Sequence, residues 1–87
     1  MKEFVLIKAD EWEGLYVNGE LVAEDHSVDL DMVLRHVAPE INVKEEWIDG
    51  TNADTRLVLN GRLPTTLVEL NRWKTKPLTK TEKEALG

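Results

Sequence analysis

The sequence contains no cysteine. This absence excludes disulfide bonds, thiolate catalysis and cysteine-based zinc sites. Because small secreted domains often depend on disulfides, it also favours the cytoplasm as the compartment. Long apolar runs are absent too, since nothing approaches the roughly 18 residues of a membrane span. The apolar run from Phe4 to Ile7 is too short for the core of a signal peptide. We therefore expect a cytoplasmic protein with no membrane contact.

Aromatic residues and positive charge are both scarce. Aromatic side chains make up 6% of the 87 residues, and 11 Lys and Arg stand against 17 Asp and Glu, for a net charge of −6. Residues 1–54 contain 14 acids and 4 bases, whereas residues 55–87 contain 3 acids and 7 bases. Such asymmetry is informative about binding partners rather than about fold. The hydrophobic content of 41% is typical of a folded domain, and the length allows only one.

The first part of the chain is typical of a strand followed by a β-hairpin. Residues 3–8 are apolar on both alternating faces, as in a central strand. Asn18 and Gly19 suit a two-residue type I′ turn, in which both residues need a positive φ. That turn predicts a register in which Glu13 lies opposite Glu24, a like-charged cross-strand pair that destabilises the free protein.

A helix is predicted over residues 28–38. Ser27 is a suitable N-cap, and Pro39 disfavours helix at the residue before it. Asp29 and Asp31 would lie in the first turn, where the helix dipole favours negative charge. The predicted helix presents one apolar stripe, formed by Leu30, Val33, Leu34 and Val37.

The second half of the chain is predicted to add two strands. Residues 41–48 alternate between apolar and polar, which favours a strand, although the helix-forming residues 44–47 leave a helix as the alternative. Residues 49–55 have the composition of a loop. Residues 56–59, with the sequence Arg-Leu-Val-Leu, are predicted to form a short strand, and a second Asn-Gly pair follows at 60–61, which predicts another tight turn.

A second helix is predicted before the C-terminal tail. Thr65 or Thr66 can cap it, and Thr66 with Glu69 has the spacing of a capping box. For the segment 77–87, which contains Lys80 and Lys83, we expect a basic C-terminal tail that is either frayed or a short helix. The element order is therefore β-β-β-α-β-β-α. It defines an α+β domain over residues 1–76, with a small antiparallel sheet and two helices packed on one face.

No constellation of side chains in the sequence indicates catalysis or metal binding. Asp25, His26 and Ser27 are consecutive, and neighbours along an extended chain point to opposite faces, so they do not form a triad. The loop that begins at Asp49 lacks the ligand positions of an EF-hand, and His36 has no histidine partner at helical spacing. We therefore expect a protein that is not an enzyme and needs neither a cofactor nor a metal ion. A small-molecule enzyme is the remaining alternative, which a deep polar cleft containing His26 or His36 with carboxylates would favour.

The acidic residues around the hairpin form the candidate binding site. They crowd the hairpin and the start of the following helix, with Asp10 beside them at the open end. One interpretation is a solvated face that keeps a small protein soluble. The other is a docking surface for a cationic partner, since complementary charge raises association rates and selects partners. We expect Trp12 to be half exposed there and Trp47 to be in the core. The candidate partner-binding residues are Glu11, Trp12, Glu13, Glu20, Glu24, Asp25, Asp29 and Asp31.

These observations predict a small acidic, non-enzymatic protein-binding module that docks on a basic surface of a macromolecular partner, as an inhibitor or regulator. Stand-alone acidic proteins of this size are frequent among phage and mobile-element products, which suggests the same origin here. The alternative is a nucleic-acid-associated protein that uses Arg72, Trp73, Lys74 and Lys76, because basic residues beside a ring can contact phosphates and stack on a base. The acidic remainder of the chain disfavours nucleic acid. A homodimer that pairs the basic tail with the acidic half is a further alternative.

Overall fold

The computed structural model describes residues 3–28 and 43–86. These residues form a four-stranded sheet and three helices, which confirms the predicted α+β class. None of the helices in this part of the chain is both long and apolar enough to cross a membrane. The strands are β1 (Phe4–Lys8), β2 (Glu13–Val17), β3 (Glu20–Asp25) and β4 (Val43–Trp47), and the helices are α1 (Asn52–Asn60), α2 (Leu67–Thr75) and α3 (Lys80–Ala85).

The sheet has the strand order β3-β2-β1-β4 and is mixed rather than antiparallel. β1 pairs antiparallel with β2, and β2 with β3, but β1 and β4 are parallel, so the prediction of an all-antiparallel sheet is wrong at one edge. A parallel neighbour cannot be reached by a hairpin and needs a crossover connection. Residues 29–42, which connect β3 to β4 along the chain, are outside the described ranges. Most of the predicted helix over 28–38, together with Asp29 and Asp31, therefore lies outside the described residues.

The β2–β3 hairpin has the predicted turn and a shifted register. Asn18 has φ 52° and Gly19 has φ 84°, as a type I′ turn requires. A bulge in β3 follows the Tyr16–Leu21 pair. Beyond it, Leu15 lies opposite Ala23 and Glu13 lies opposite Asp25. The predicted pair of Glu13 with Glu24 is therefore wrong, because a bulge places two residues opposite one and shifts every later pair.

Helix α1 replaces the predicted strand over 56–59 and most of the predicted loop over 49–55, of which residues 49–51 remain outside regular structure. The side chain of Thr51 caps it by accepting a hydrogen bond from the Asp54 amide, and Gly61, with φ 75°, ends it in the left-handed conformation. The second Asn-Gly pair is thus a helix terminus and not a hairpin turn. The buried face of α1 consists of Ala53, Arg56 and Leu57. Because one of these residues is charged, the sequence does not show the apolar periodicity that would predict a helix.

The other predicted elements of the second half are present. Strand β4 confirms the interpretation of 41–48 as a strand over Val43–Trp47. Thr66, one of the two predicted caps, caps α2 by accepting from the amide of Glu69, while the Glu69 side chain pairs with Arg72 instead of completing the predicted capping box. The tail contributes α3, which has a complete capping box formed by Thr79 and Glu82.

Apolar side chains are buried on both faces of the sheet. Helices α1 and α2 cover one face, where the buried cluster is Val5, Ile7, Ala9, Tyr16, Ile48, Ala53, Leu57, Leu63 and Leu70. The opposite face buries Phe4, Leu6 and Leu15, with Val28 and Val43 packed beside them. Trp47 is 57% exposed on the edge strand, which corrects its expected place in the core. Its ring lies 5.0 Å from the Lys8 ammonium in a cation–π contact.

Candidate docking site at the acidic end of the sheet

An open groove lies between the β1–β2 loop, the residue after β3, and helix α1. We call it the acidic groove. Its volume is about 350 Å³, enough for one or two side chains of another molecule. Its lining residues are Ala9, Asp10, Glu11, Trp12, His26, Asp54, Leu57, Val58 and Gly61.

The β1–β2 loop is held in place by hydrogen bonds at both of its ends. The amide of Ala9 donates to the carbonyl of Trp12 at 2.8 Å, which closes a tight turn. The indole Nε1 of Trp12 donates to Oε1 of Glu24 at 3.0 Å, and the same oxygen accepts from the Leu63 amide at 2.8 Å. Glu24 thereby ties the loop to the segment that connects α1 and α2. The tryptophan ring is consequently fixed in orientation before any ligand arrives.

His26 completes the wall of the groove beside Trp12. The two rings meet edge to face with centroids 5.2 Å apart. The amide of His26 donates to Oδ1 of Asp25 at 2.7 Å, and its Nδ1 lies 3.2 Å from the carbonyl oxygen of Glu11. The residue after β3 is thus positioned by the loop before β2, and the two chain segments form one surface.

Three carboxylates line the groove, from Asp10, Glu11 and Asp54. Asp10 and Glu11 are exposed, and Asp54 is half-buried in the first turn of α1. Among residues 3–28 and 43–86, no lysine or arginine lies within ion-pair distance of any of the three, since the ion pairs formed there involve other acids. Within the described residues, the carboxylates of the groove therefore have no ion-pair partner, and they lie beside an apolar wall that includes Val58, a residue 71% exposed.

The predicted acidic set does not form one surface. Glu11 and Trp12 line the groove. Asp25 does not line it, but its side chain accepts a hydrogen bond from the amide of the lining residue His26. Glu20 lies at the opposite end of the hairpin, next to the turn. Asp29 and Asp31 lie outside the described residues.

Two further members of the predicted set have structural roles. Glu13 forms an ion pair with Lys8 at 3.7 Å and accepts from the Val28 amide at 3.0 Å. Glu24 is occupied by its two internal hydrogen bonds. It also lies near Tyr16: burial raises the pKa of Tyr16, and the negative charge of Glu24 raises it further.

The sequence patterns did not place His26, Asp54, Leu57 and Val58 at the site. The last three belong to α1, and their convergence with the β1–β2 loop depends on that helix. The cap signal of Thr51 followed by Asp54 three residues later was the available clue. The contact of His26 with Trp12 follows from the hairpin bulge, because the shifted register pairs Glu13 with Asp25 and so brings the two flanking residues together.

The basic residues of the alternative interpretation are partly committed to contacts within the chain. Lys74 forms an ion pair with Glu46 on β4, and Arg72 pairs with Glu69 at 3.5 Å on the exposed face of α2. Trp73 is half-buried and packs against the core. The side chain of Lys76 is exposed.

A second cavity, of about 250 Å³, lies beside these basic residues. Its lining contains both signs of charge, because Glu69 and Glu82 accompany Arg56, Arg72 and Lys76. The surface is therefore not a continuous positive track for a phosphate backbone.

The described residues contain no group of three or more His, Asp or Glu side chains placed to hold a metal ion. No family model, curated protein or solved structure matches this chain.

Proposed function

We propose that the protein is a small acidic, non-enzymatic binding module that docks on a basic surface of a macromolecular partner through the acidic groove. In this role it inhibits or regulates the partner by occupying that basic surface. The observation that carries the proposal is the combination of Asp10, Glu11 and Asp54, none of them ion-paired within the described residues, with the apolar side chains of one concave surface.

This combination favours docking over a merely solubilising surface. Solubility requires net charge, but it does not require charge around a groove with an exposed apolar wall. Negative charge raises the rate of encounter with a basic partner. The apolar wall, which includes Leu57 and Val58, adds contact area that excludes water once the partner is bound.

The same proposal includes a cytoplasmic location and a phage or mobile-element origin. The lack of cysteine supports the cytoplasm, where thiols stay reduced and disulfides are rare. A phage or mobile-element origin is supported only by small size and acidic composition. Neither point affects the assignment of the groove.

The test compares capture of partners by three purified proteins. These are the wild type, the groove variant Asp10→Asn with Glu11→Gln, and the control Glu20→Gln with Glu84→Gln. Both variants remove two negative charges, but the control residues lie on exposed parts of β3 and α3 away from the groove. The contact of Glu11 with His26 uses the backbone carbonyl and is retained in the groove variant.

We expect a basic protein that is retained by the wild type and the control and lost from the groove variant. Mass spectrometry identifies it, and the affinity of the purified pair should fall as salt is raised, because exposed charges are screened. Equal retention by all three proteins would show that the acidic groove is not the site.

A further inference from the structure

We infer that the acidic groove binds an arginine side chain of the partner, with the guanidinium against the ring of Trp12 and paired with the carboxylates around it. The inference rests on the proposed function and specifies its ligand. Three features of the groove support it: a fixed aromatic ring, adjacent carboxylates, and an apolar wall for the methylene stem.

The aromatic ring is prepared for a planar cation. The Nε1 donor of Trp12 is already bonded to Glu24 at 3.0 Å, so the ring does not need to turn to satisfy its polar atom. His26 packs against it edge to face, with an interplanar angle of 78°, and further restricts its movement. Tryptophan is the ring that cations prefer, and guanidinium is the side-chain cation most often found against it.

The carboxylates suit a fork of donors better than a single ammonium. Asp10 and Glu11 are adjacent on the β1–β2 loop and Asp54 belongs to α1, so carboxylate-bearing residues line the groove on two chain segments. Guanidinium presents five N–H donors in a plane and can pair with a carboxylate through two of them while it stacks on a ring. An ammonium is a strongly hydrated point charge and does not stack.

The apolar wall suits the stem that carries the guanidinium. Leu57, Val58 and Ala9 line the groove together with the open backbone of Gly61, beside which a Cβ would meet no atom within 4 Å. Arginine buries its methylene groups along apolar surface while its charged end reaches polar partners. The groove therefore accommodates both halves of the side chain.

The experiment uses the full chain and three short capped peptides that alternate glycine with arginine, lysine or citrulline. Citrulline keeps the shape of arginine without its charge. Binding is followed by NMR through the indole N–H signal of Trp12, which is assigned by its loss in Trp12→Phe. We expect the arginine peptide to bind about threefold more tightly than the lysine peptide, as a cation–π contact allows. It should shift the Trp12 signal, and the citrulline peptide should not bind.

The remaining outcomes separate the inference from the proposed function. Equal affinity for arginine and lysine peptides, with loss of both in Asp10→Asn with Glu11→Gln, would overturn the arginine site and leave the acidic docking surface intact. No binding of either peptide at low salt would overturn both. A Trp12 signal that shifts with protein concentration alone, and does not do so in that variant, would place a second copy of this chain in the groove and overturn the inference.

Discussion

Arg56 on α1 and Glu82 on α3 form a bidentate ion pair, with nitrogen-to-oxygen distances of 2.7 and 2.9 Å. The remaining guanidinium donors bond the carbonyls of Trp73, Lys76 and Pro77, so that all five N–H groups have an acceptor. One side chain thereby joins α1, the end of α2 and the C-terminal helix. The C-terminal tail, which the sequence leaves open as frayed or helical, is attached to the domain by this buried residue.

Replacing Arg56 should be among the most destabilising single changes in the second half of the chain. Arg56→Ala leaves three carbonyls and the Glu82 carboxylate without their donors, and we expect a loss of about 3 kcal/mol in the free energy of unfolding. Urea unfolding measures it. Arg62→Ala, at an exposed position, is the control and should change stability by no more than about 0.5 kcal/mol. Equal effects of the two changes would contradict the structural role of Arg56.

The same ion pair should make stability depend on acidic pH. Hydrogen bonds from the Arg56 guanidinium and from the Thr79 amide lower the pKa of Glu82 to about 2, from an ordinary value of 4.5. Because the folded pKa is depressed, the stabilisation is fully present above the ordinary value and is lost as the pH falls toward 2. Thermal unfolding should therefore show a decline between about pH 5 and pH 2 that is smaller in Glu82→Gln. Glu84→Gln, an exposed neighbour on α3, should retain the wild-type decline.

The two Asn-Gly pairs show where local sequence stops predicting structure. Both pairs supply residues that tolerate a positive φ, and the chain changes direction at each pair. The first pair closes a hairpin because strands flank it, whereas the second ends α1, with the Gly61 amide bonded to the carbonyl of Leu57 at 2.8 Å. Local sequence predicts a change of direction, but the flanking elements decide whether it is a hairpin turn or a helix terminus. The helical periodicity of α1 is recognisable only when Arg56 is counted among its buried residues.

Gly19 and Gly61 should respond alike to substitution despite these different settings. Each has a positive φ, and a Cβ added to either would meet no atom within 4 Å, so the cost of Gly→Ala is in the backbone alone. We expect Gly19→Ala and Gly61→Ala each to lose about 1 kcal/mol of folding stability. Chemical denaturation of the two variants measures this. A neutral effect at Gly61 would indicate that the end of α1 adjusts at no cost.

The candidate site was predictable only in the part that belongs to one chain segment. Glu11 and Trp12 follow from the loop between two strands that the sequence indicates well. Glu24 illustrates the limit, because its charge suggests a surface role while the bulge in β3 and the Leu63 amide give it an internal one. Groups that come together from distant segments, such as Asp54 with His26, are beyond local periodicity.

The basic segment of α2 should bind nucleic acid weakly or not at all. Lys74 is paired with Glu46 and Arg72 with Glu69, and Glu69 and Glu82 line the adjacent cavity, so negative side chains offset the positive charge that would contact phosphates. Fluorescence anisotropy with a labelled single-stranded oligonucleotide at low salt should show no saturable binding. Binding that falls steeply with salt, and weakens in Arg72→Gln with Lys76→Gln, would instead favour the nucleic-acid interpretation.

Val58 should contribute to partner binding through its apolar surface rather than through charge. It is 71% exposed on α1 and lines the acidic groove, whereas Val68 is 64% exposed on α2 and lies outside it. Val58→Ser should weaken binding to the arginine peptide by about fivefold, in line with the loss of about 1 kcal/mol of apolar contact. Val68→Ser makes the same chemical change and should leave the affinity unchanged. Because both positions are exposed, thermal unfolding should be nearly the same for the two variants, and equal weakening by both would mean that the apolar wall of the groove does not contact the ligand.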